Sequence, residues 1–506
     1  MPRKNNIERC PNCGGSDVKF NQKLGKLQCG YCRSVFESEL GNERDDVTLL
    51  KGKIVGKGAE KIIDEKVMVT LKCNSCGAEV SINTAEALTA KCPWCRHLLS
   101  IKDKLPNGAV PDMILPFKLS RTTAYKIMNK FISEHRAFGK PEFIDEFREE
   151  NLMGVYLPYM VVDMNVHAEM AGTGEHETRR YMVGSGDDAE MRYDADVYKV
   201  GRKFDLVVDD LTIEASSDKL NQNVMVNTNN IISAIMPFDT QNAVKWDARY
   251  TTGFACEKRD VDIDELDKQV KLQVEDIMRF RMRETITAYD RGVRWERMKL
   301  EQKGVKWKTA YMPVWLYSYL DNKKNGTSIL HYVAVNARTG ELVGSSPINN
   351  KKIAYWVALV PSICMVLSII FGIIRRVFNI PKVDAGSIQV FLFVIAFFWF
   401  LISGIVILVQ AANYRNKSAR HVHERDTAAA IKNVVKEDFF QTEHKRLRWS
   451  QMFDRNDLLI RGIRVKEGNS VRNSTSSTIG TVIVIIVIAF LVITMFPIIF
   501  LPFFLL

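Results

Sequence analysis

Eight of the ten cysteines fall in four Cys-x-x-Cys pairs, and the pairs themselves come in twos. Cys10 and Cys13 precede Cys29 and Cys32; Cys73 and Cys76 precede Cys92 and Cys95, and fifteen residues separate the pairs in each set. A Cys-x-x-Cys turn puts two thiolates on one side of a knuckle. Two knuckles joined by a short hairpin complete the tetrahedral sulfur site that zinc prefers. Gly14 and Gly77, each following a second cysteine, suit the positive φ of such a turn. A unit of about 25 residues buries too little apolar surface to fold alone. Zinc binding of roughly 10–16 kcal/mol supplies the difference. Disulfides would need an oxidising compartment, and the first ten residues carry no secretory signal. A redox motif would need one pair beside a βαβ pattern, not four pairs in register. The spacing therefore predicts two structural Zn²⁺ sites with no open ligand position. Cys256 and Cys364 are left over, and Cys364 reads as a small buried hydrophobe.

These sites need elements to hold them. The 506-residue chain is too long for one small module, and its 25% of charged residues is ordinary for a folded protein. Residues 8–36 are expected to be a first ribbon and 71–104 a second. The 37–70 stretch between them reads as a linker, flexible around Lys51–Gly58. That glycine-rich piece lacks the G-x-x-x-x-G-K-[ST] pattern of a phosphate loop. Residues 105–350 read as a mixed α/β cytosolic domain. It has strands at 114–119, 156–162, 197–213 and 311–319, helices after Ser120 and over 262–280, and a hairpin at 328–344. Ile114-Leu-Pro-Phe, Tyr156-Leu-Pro-Tyr, Ile235-Met-Pro-Phe and Tyr311-Met-Pro-Val echo one another, which suggests a duplicated half-domain.

Three apolar runs without a charge are long enough to cross a bilayer as helices: 353–374, 388–410 and 479–506. The expected fold class is thus multidomain: two small β zinc ribbons, a mixed α/β soluble domain and three transmembrane helices. Residues 411–478 hold fourteen Lys and Arg, which places this basic segment in the cytoplasm with the N-terminal region. The C-terminus then falls on the outer side of the cell membrane. Residues 418–446 are expected to continue the second span as a helix.

Charge weighs against a nucleic-acid partner. Residues 1–104 carry 18 Lys and Arg against 13 Asp and Glu. Two Zn(Cys)₄ sites at −2 each leave that segment nearly neutral. The basic footprint of a nucleic-acid-binding domain is missing there, and the positive charge flanks the apolar runs instead. Tyr31 and Trp94 beside the knuckles could stack on a base, but packing over a small ribbon core is the simpler role. His167, Glu169, Glu175, His176, Glu177 and the pair His421 and His423 could ligate metal, and solvated polar faces explain them more simply. The acidic run from Asp260 to Asp267 suits a helix N-terminus. There is no G-x-S-x-G, no H-E-x-x-H and no dinucleotide fingerprint.

Several motifs together carry a resemblance. They are Cys10-Pro-Asn-Cys-Gly14, Cys92-Pro-Trp-Cys95, Ile114-Leu-Pro-Phe117, Gly154-Val-Tyr-Leu-Pro-Tyr159, Pro237-Phe-Asp239, Gly253-Phe-Ala255, Asp260-Val-Asp262, Met312-Pro-Val-Trp-Leu316 and Asn336-Ala-Arg-Thr-Gly-Glu341. Over residues 8–350 and the apolar runs, the chain resembles bacterial multi-pass membrane proteins with tandem TFIIB-type zinc ribbons. Such proteins are often labelled primosomal protein N′ or helicase-like. The resemblance implies a zinc-binding membrane protein of unestablished activity. A helicase motor would need a phosphate-binding loop and a magnesium-binding acidic motif, and neither stands in the sequence. The expected function is a non-catalytic scaffold or sensor, anchored in the lipid bilayer, that presents its ribbons to a cytosolic protein partner. The alternative is a membrane-tethered nucleic-acid-binding protein.

Overall fold

A computed structural model describes residues 9–378 apart from 22–23, 43–45, 57–61, 185–188, 217–234, 283–284, 291 and 323–327, together with 392, 394–399, 401–404 and 428–448. The first ribbon is a three-stranded antiparallel sheet of β1 (Val18–Asn21), β2 (Lys26–Cys29) and β3 (Val35–Phe36). Almost everything else joins one mixed sheet of 13 strands. In chain order these are β4 (Gly52–Val55), β5 (Met68–Lys72), β6 (Glu79–Asn83), β7 (Lys104–Leu105), β8 (Met113–Ile114), β9 (Met153–Val183), β10 (Glu190–Glu214), β11 (Val244–Lys245), β12 (Ala255–Glu257), β13 (Val293–Asn322), β14 (Ser328–Asn336), β15 (Leu342–Gly344) and β16 (Ala428–Arg448). The helices are α1 (Arg121–Glu134), α2 (Pro141–Asp145), α3 (Ile263–Met282) and α4 (Asn350–Phe378).

The sheet is organised by three very long strands. β9 has 31 residues, β10 has 25 and β13 has 30. At about 3.3 Å per residue, a straight strand of the length of β9 would reach roughly 100 Å. β9 sits between β10 and β13, antiparallel to both, with bulges where the register shifts. The sequence dictates this blade by strict alternation. Met160, Val162, Met164, Val166, Ala168 and Met170 on β9 and Phe204, Leu206 and Val208 on β10 are all buried on one face. α3 covers that face with Leu266, Val270, Val274, Ile277, Met278 and Met282, a stripe of helical spacing. At the other end of β9, Phe117, Tyr156, Phe254 and Trp315 form an aromatic core, with Phe117 and Phe254 stacked 4.1 Å apart.

Several expectations hold locally. α1 starts where Ser120 Oγ accepts from the Thr123 amide at 3.2 Å. Three of the four proline-bearing echoes lie side by side, because Tyr311 pairs with Ile114 on one flank and Pro158 on the other.

The expected fold class is overturned. The chain is mostly β, in place of a mixed α/β domain flanked by free-standing ribbons. The strands of the second ribbon, β5, β6 and β7, belong to the 13-stranded sheet, which they enter through the pairing of β6 with β12 and of β12 with β9. The stretch expected to be flexible contains β4, which pairs in parallel with Gly304–Trp307 of β13. The helix expected over 418–446 is, where described, the strand β16. It pairs with β10. Ala428, Ala429, Ala430, Lys432 and Lys436 favour a helix locally, and the open edge of β10 overrides them.

Nor do the described residues show three transmembrane helices. Among the described residues only α4 is long and apolar enough to cross a bilayer. The 388–410 run is described only in part, as a shorter apolar helix over Val394–Gly404. The 479–506 run lies outside the described residues. α4 is largely uncovered: Ile370, Ile373 and Phe378 are exposed. Trp399 of the shorter helix packs 4.6 Å from Trp356, and its indole donates to the Trp356 carbonyl.

Candidate metal centres

All eight predicted ligands come together as two groups of four. Cys10, Cys13, Cys29 and Cys32 form one, and Cys73, Cys76, Cys92 and Cys95 the other, with the sulfurs of each group within 4.8 Å of one another. Equivalent pairs match closely. Cys10–Cys32 is 3.5 Å and Cys73–Cys95 is 3.4 Å; Cys13–Cys29 and Cys76–Cys92 are both 3.6 Å. A tetrahedral metal with bonds of about 2.3 Å would set its sulfurs about 3.8 Å apart, so each group could hold one ion with little movement.

The backbone explains why four short turns converge. In every knuckle the amide after the second cysteine donates to the carbonyl of the first: Gly14 to Cys10, Arg33 to Cys29, Gly77 to Cys73 and Arg96 to Cys92, at 2.8–3.0 Å. All four donors have φ between 59° and 79°. Glycine takes this left-handed conformation freely in the leading knuckles; in the trailing ones an arginine is held there. A return bond from each first-cysteine amide closes the knuckle, to Gly15, Ser34, Ala78 and His97 respectively.

The sulfurs are electrostatically unequal. The Ser34 hydroxyl and amide hold the Cys32 thiol down at about 6. Hydrogen bonds from Cys76 and Cys92 hold Cys95 far below the usual thiol range, and Cys92 is pushed up by Cys76, Cys95 and burial. One thiol in each group is thus favoured for ionisation, by Ser34 in the first and by the neighbouring thiols in the second, and a bound cation would extend that to the rest.

The settings of the two centres differ. Ribbon 2 is embedded: Cys73, Cys92 and Trp94 are buried in the main core, and Trp94 stands edge-on to Tyr332 at 5.7 Å. Ser318 donates to the Pro93 carbonyl at 2.6 Å, and Arg96 pairs with Glu146 and lies over the Tyr317 ring. Ribbon 1 docks by one side. Val18, Leu27, Cys10 and Cys29 face the aromatic core, and Phe20 meets Tyr250 at 5.3 Å and Phe254 at 6.2 Å. Its outer side is open. Tyr31 is 70% exposed and lies across Gly15, beside Arg9. Of the two aromatics flagged in the sequence, Trp94 is structural and Tyr31 is presented to solvent.

The other candidate ligands are not brought together among the described residues. His167 pairs with Asp205 at 2.9 Å and His176 with Asp290 at 2.8 Å. Glu175 is buried and accepts from the Tyr193 hydroxyl at 3.0 Å. Asp264 and Glu265 do sit in the first turn of α3, and Asp264 also pairs with Lys53. His421 and His423 lie outside the described residues.

One cluster escaped the sequence reading. Asp163 on β9 and Asp209 and Asp210 on β10 gather carboxylate oxygens within 4.8 Å. Asp210 has a φ of 57°, and its amide donates to Asp163 at 2.9 Å. Asn42 and Thr240 donate to Asp210, and Lys308 to Asn42. Burial pushes the Asp163 carboxyl up to about 6. These contacts make the group a polar tie between the inter-ribbon segment and the blade, buried at Asp163 and open to solvent at Asp209.

No family model matches the chain, and no solved structure matches it. The chain is 24% identical over 348 residues to a protein described as the uncharacterized protein YdjG of Bacillus subtilis strain 168. That similarity spans 69% of this chain and 92% of the Bacillus protein.

Proposed function

We propose that this protein is a zinc-binding, membrane-anchored scaffold or sensor that presents ribbon 1 to a cytosolic protein partner and carries out no chemistry itself. The observation behind this reading is the asymmetry of the two centres. Ribbon 2 is spent on the fold, whereas ribbon 1 keeps one face, with Tyr31 and Arg9, free for contact. All-thiolate sets of four suit a closed structural zinc site, whose role is to hold the knuckles in place. The uncovered apolar α4 supplies the anchor, and the basic residues near the apolar runs set the metal-bearing part on the cytoplasmic side.

A second reading rests on the same exposed ring. An aromatic beside an arginine is also a base-stacking platform, so a membrane-tethered nucleic-acid binder is the alternative. In-cell crosslinking of the tagged full chain separates the two. The scaffold reading expects a protein adduct that disappears in Tyr31→Ala while the zinc content is unchanged. A crosslinked nucleic acid that disappears in the same variant would replace it with the alternative.

A further inference from the structure

The two ends of the α4 region are fixed to the same folded body. At its start, the Asn349 amide donates to the Phe138 carbonyl at 2.8 Å, Ile348 bridges to Gly139, and Trp356 packs against Phe138 at 5.6 Å. Beyond its end, β16 lies along β10 in 17 residue pairs, from Ala428 opposite Asp209 to Arg448 opposite Arg192. The pairing is locked by charge. Arg202 on β10 is only 2% exposed, and its guanidinium holds the Asp438 carboxylate with both terminal nitrogens. Lys203 pairs with Glu437 at 2.9 Å beside it. Ile431 and Val434 of β16 pack against the core beneath α3. Uncovering Arg202 would leave a buried charge without its counter-ion, an expensive state.

A sheet cannot continue across a bilayer from its own body. We infer that the chain crosses the membrane an even number of times between Asn350 and Ala428, and that β16 is the clasp that returns it to the metal-bearing side. α4 is one crossing. By sequence the uncharged 388–410 run is long enough for the return, and within it the helix Val394–Gly404 packs on α4 through Trp399 and Trp356. The blade then stands on a two-helix hairpin rather than on a single stalk. This rests on the proposed membrane anchoring and gives the side assignment read from the basic residues an independent structural ground, the pairing of β16 with β10.

The test uses the full chain with an N-terminal tag, in sealed vesicles whose tag is accessible to antibody. One variant carries a protease site between Ala385 and Gly386, another between Lys417 and Ser418. The 417/418 site should be cut without detergent and the 385/386 site only after detergent. In a third variant, Lys199→Cys with Phe439→Cys, two directly paired positions, oxidation should join β10 to β16 in the membrane. Cleavage at 385/386 in intact vesicles would overturn the crossing. Protection at 417/418, with no disulfide between positions 199 and 439 in the double variant, would overturn the return. Release of the protein by alkaline carbonate would instead remove the anchoring itself, and the hairpin with it.

Discussion

Ribbon 1 and ribbon 2 share one knuckle design, yet the molecule uses them differently. Both have the same cysteine spacing, the same amide-to-carbonyl closure and the same left-handed residue after each second cysteine. The difference lies in where their strands go. Those of ribbon 1 close on themselves in a three-stranded sheet, while those of ribbon 2 run on into the 13-stranded sheet. The asparagine inside each leading Cys-x-x-Cys turn, third in the first ribbon and second in the second, follows this divide. Asn12 donates within its own ribbon to Ser34 at 2.8 Å; Asn74 reaches out to Asp103 at 2.7 Å. A metal knuckle is therefore a local device whose wider role is set by its hydrogen-bonded neighbours. In ribbon 1 it shapes a surface. In ribbon 2 it terminates a core.

The largest expected effect is loss of the second metal. Cys92→Ser should destabilise the whole chain by more than about 3 kcal/mol, because an embedded site contributes its metal-binding energy to the common fold. Cys29→Ser should leave most of the main melting transition in place. Thermal unfolding of the two variants in one detergent compares them; equal losses would erase the distinction. Next come the aromatic anchors. Trp94→Ala should lower stability by roughly 3–5 kcal/mol, and Phe20→Ala, on a half-buried docking face, by about 1–3 kcal/mol.

The carboxylate cluster of β9 and β10 gives a third, pH-dependent test. The Asp163 carboxyl titrates at about 6 in the folded protein, above its ordinary value of 3.8, through burial. A raised acid binds its proton more tightly when folded, so stability is greatest below about pH 4 for this group and declines as the pH rises to about 6. Asp163→Asn keeps an acceptor for the Asp210 amide and should flatten that decline, gaining on the order of 1–3 kcal/mol at about pH 7. Denaturant midpoints at roughly pH 4, 5, 6 and 7 read it; an unchanged slope would show that Asp163 ionises normally. The smallest effect is expected at Tyr31. Tyr31→Ala should shift stability by less than about 0.5 kcal/mol while abolishing partner capture, the reverse of Trp94→Ala.

The metal centres were legible in the sequence because their geometry is local. Two residues between ligands and fifteen between pairs leave little freedom. The helices after Ser120 and over 262–280 were legible for the same reason, since a cap and an apolar stripe are encoded within one turn or a few. The blade was not. Its alternating residues stand in plain view from Met160 to Met170, but the partners that turn a strand into a 31-residue sheet member lie tens to hundreds of positions away. The Ala428–Lys436 stretch shows the limit most clearly: its composition favours a helix, and the empty edge of β10 makes it a strand. Asp163, Asp209 and Asp210 were invisible for a related reason. A bulge between Val208 and Leu211 of β10, opposite Asp163, brings residues 46 and 47 positions apart into one polar cluster.

The most direct measurement is hydrogen exchange on the intact protein, comparing Cys13→Ser with Cys76→Ser, exposed ligands at matching positions. Lost protection in Cys13→Ser should stay within residues 9–36. In Cys76→Ser it should spread through β6 into β12 and the neighbouring part of β9. Footprints of equal extent, or a Cys13→Ser footprint that reaches β9, would contradict the division of the two ribbons into one that shapes a surface and one that holds the fold.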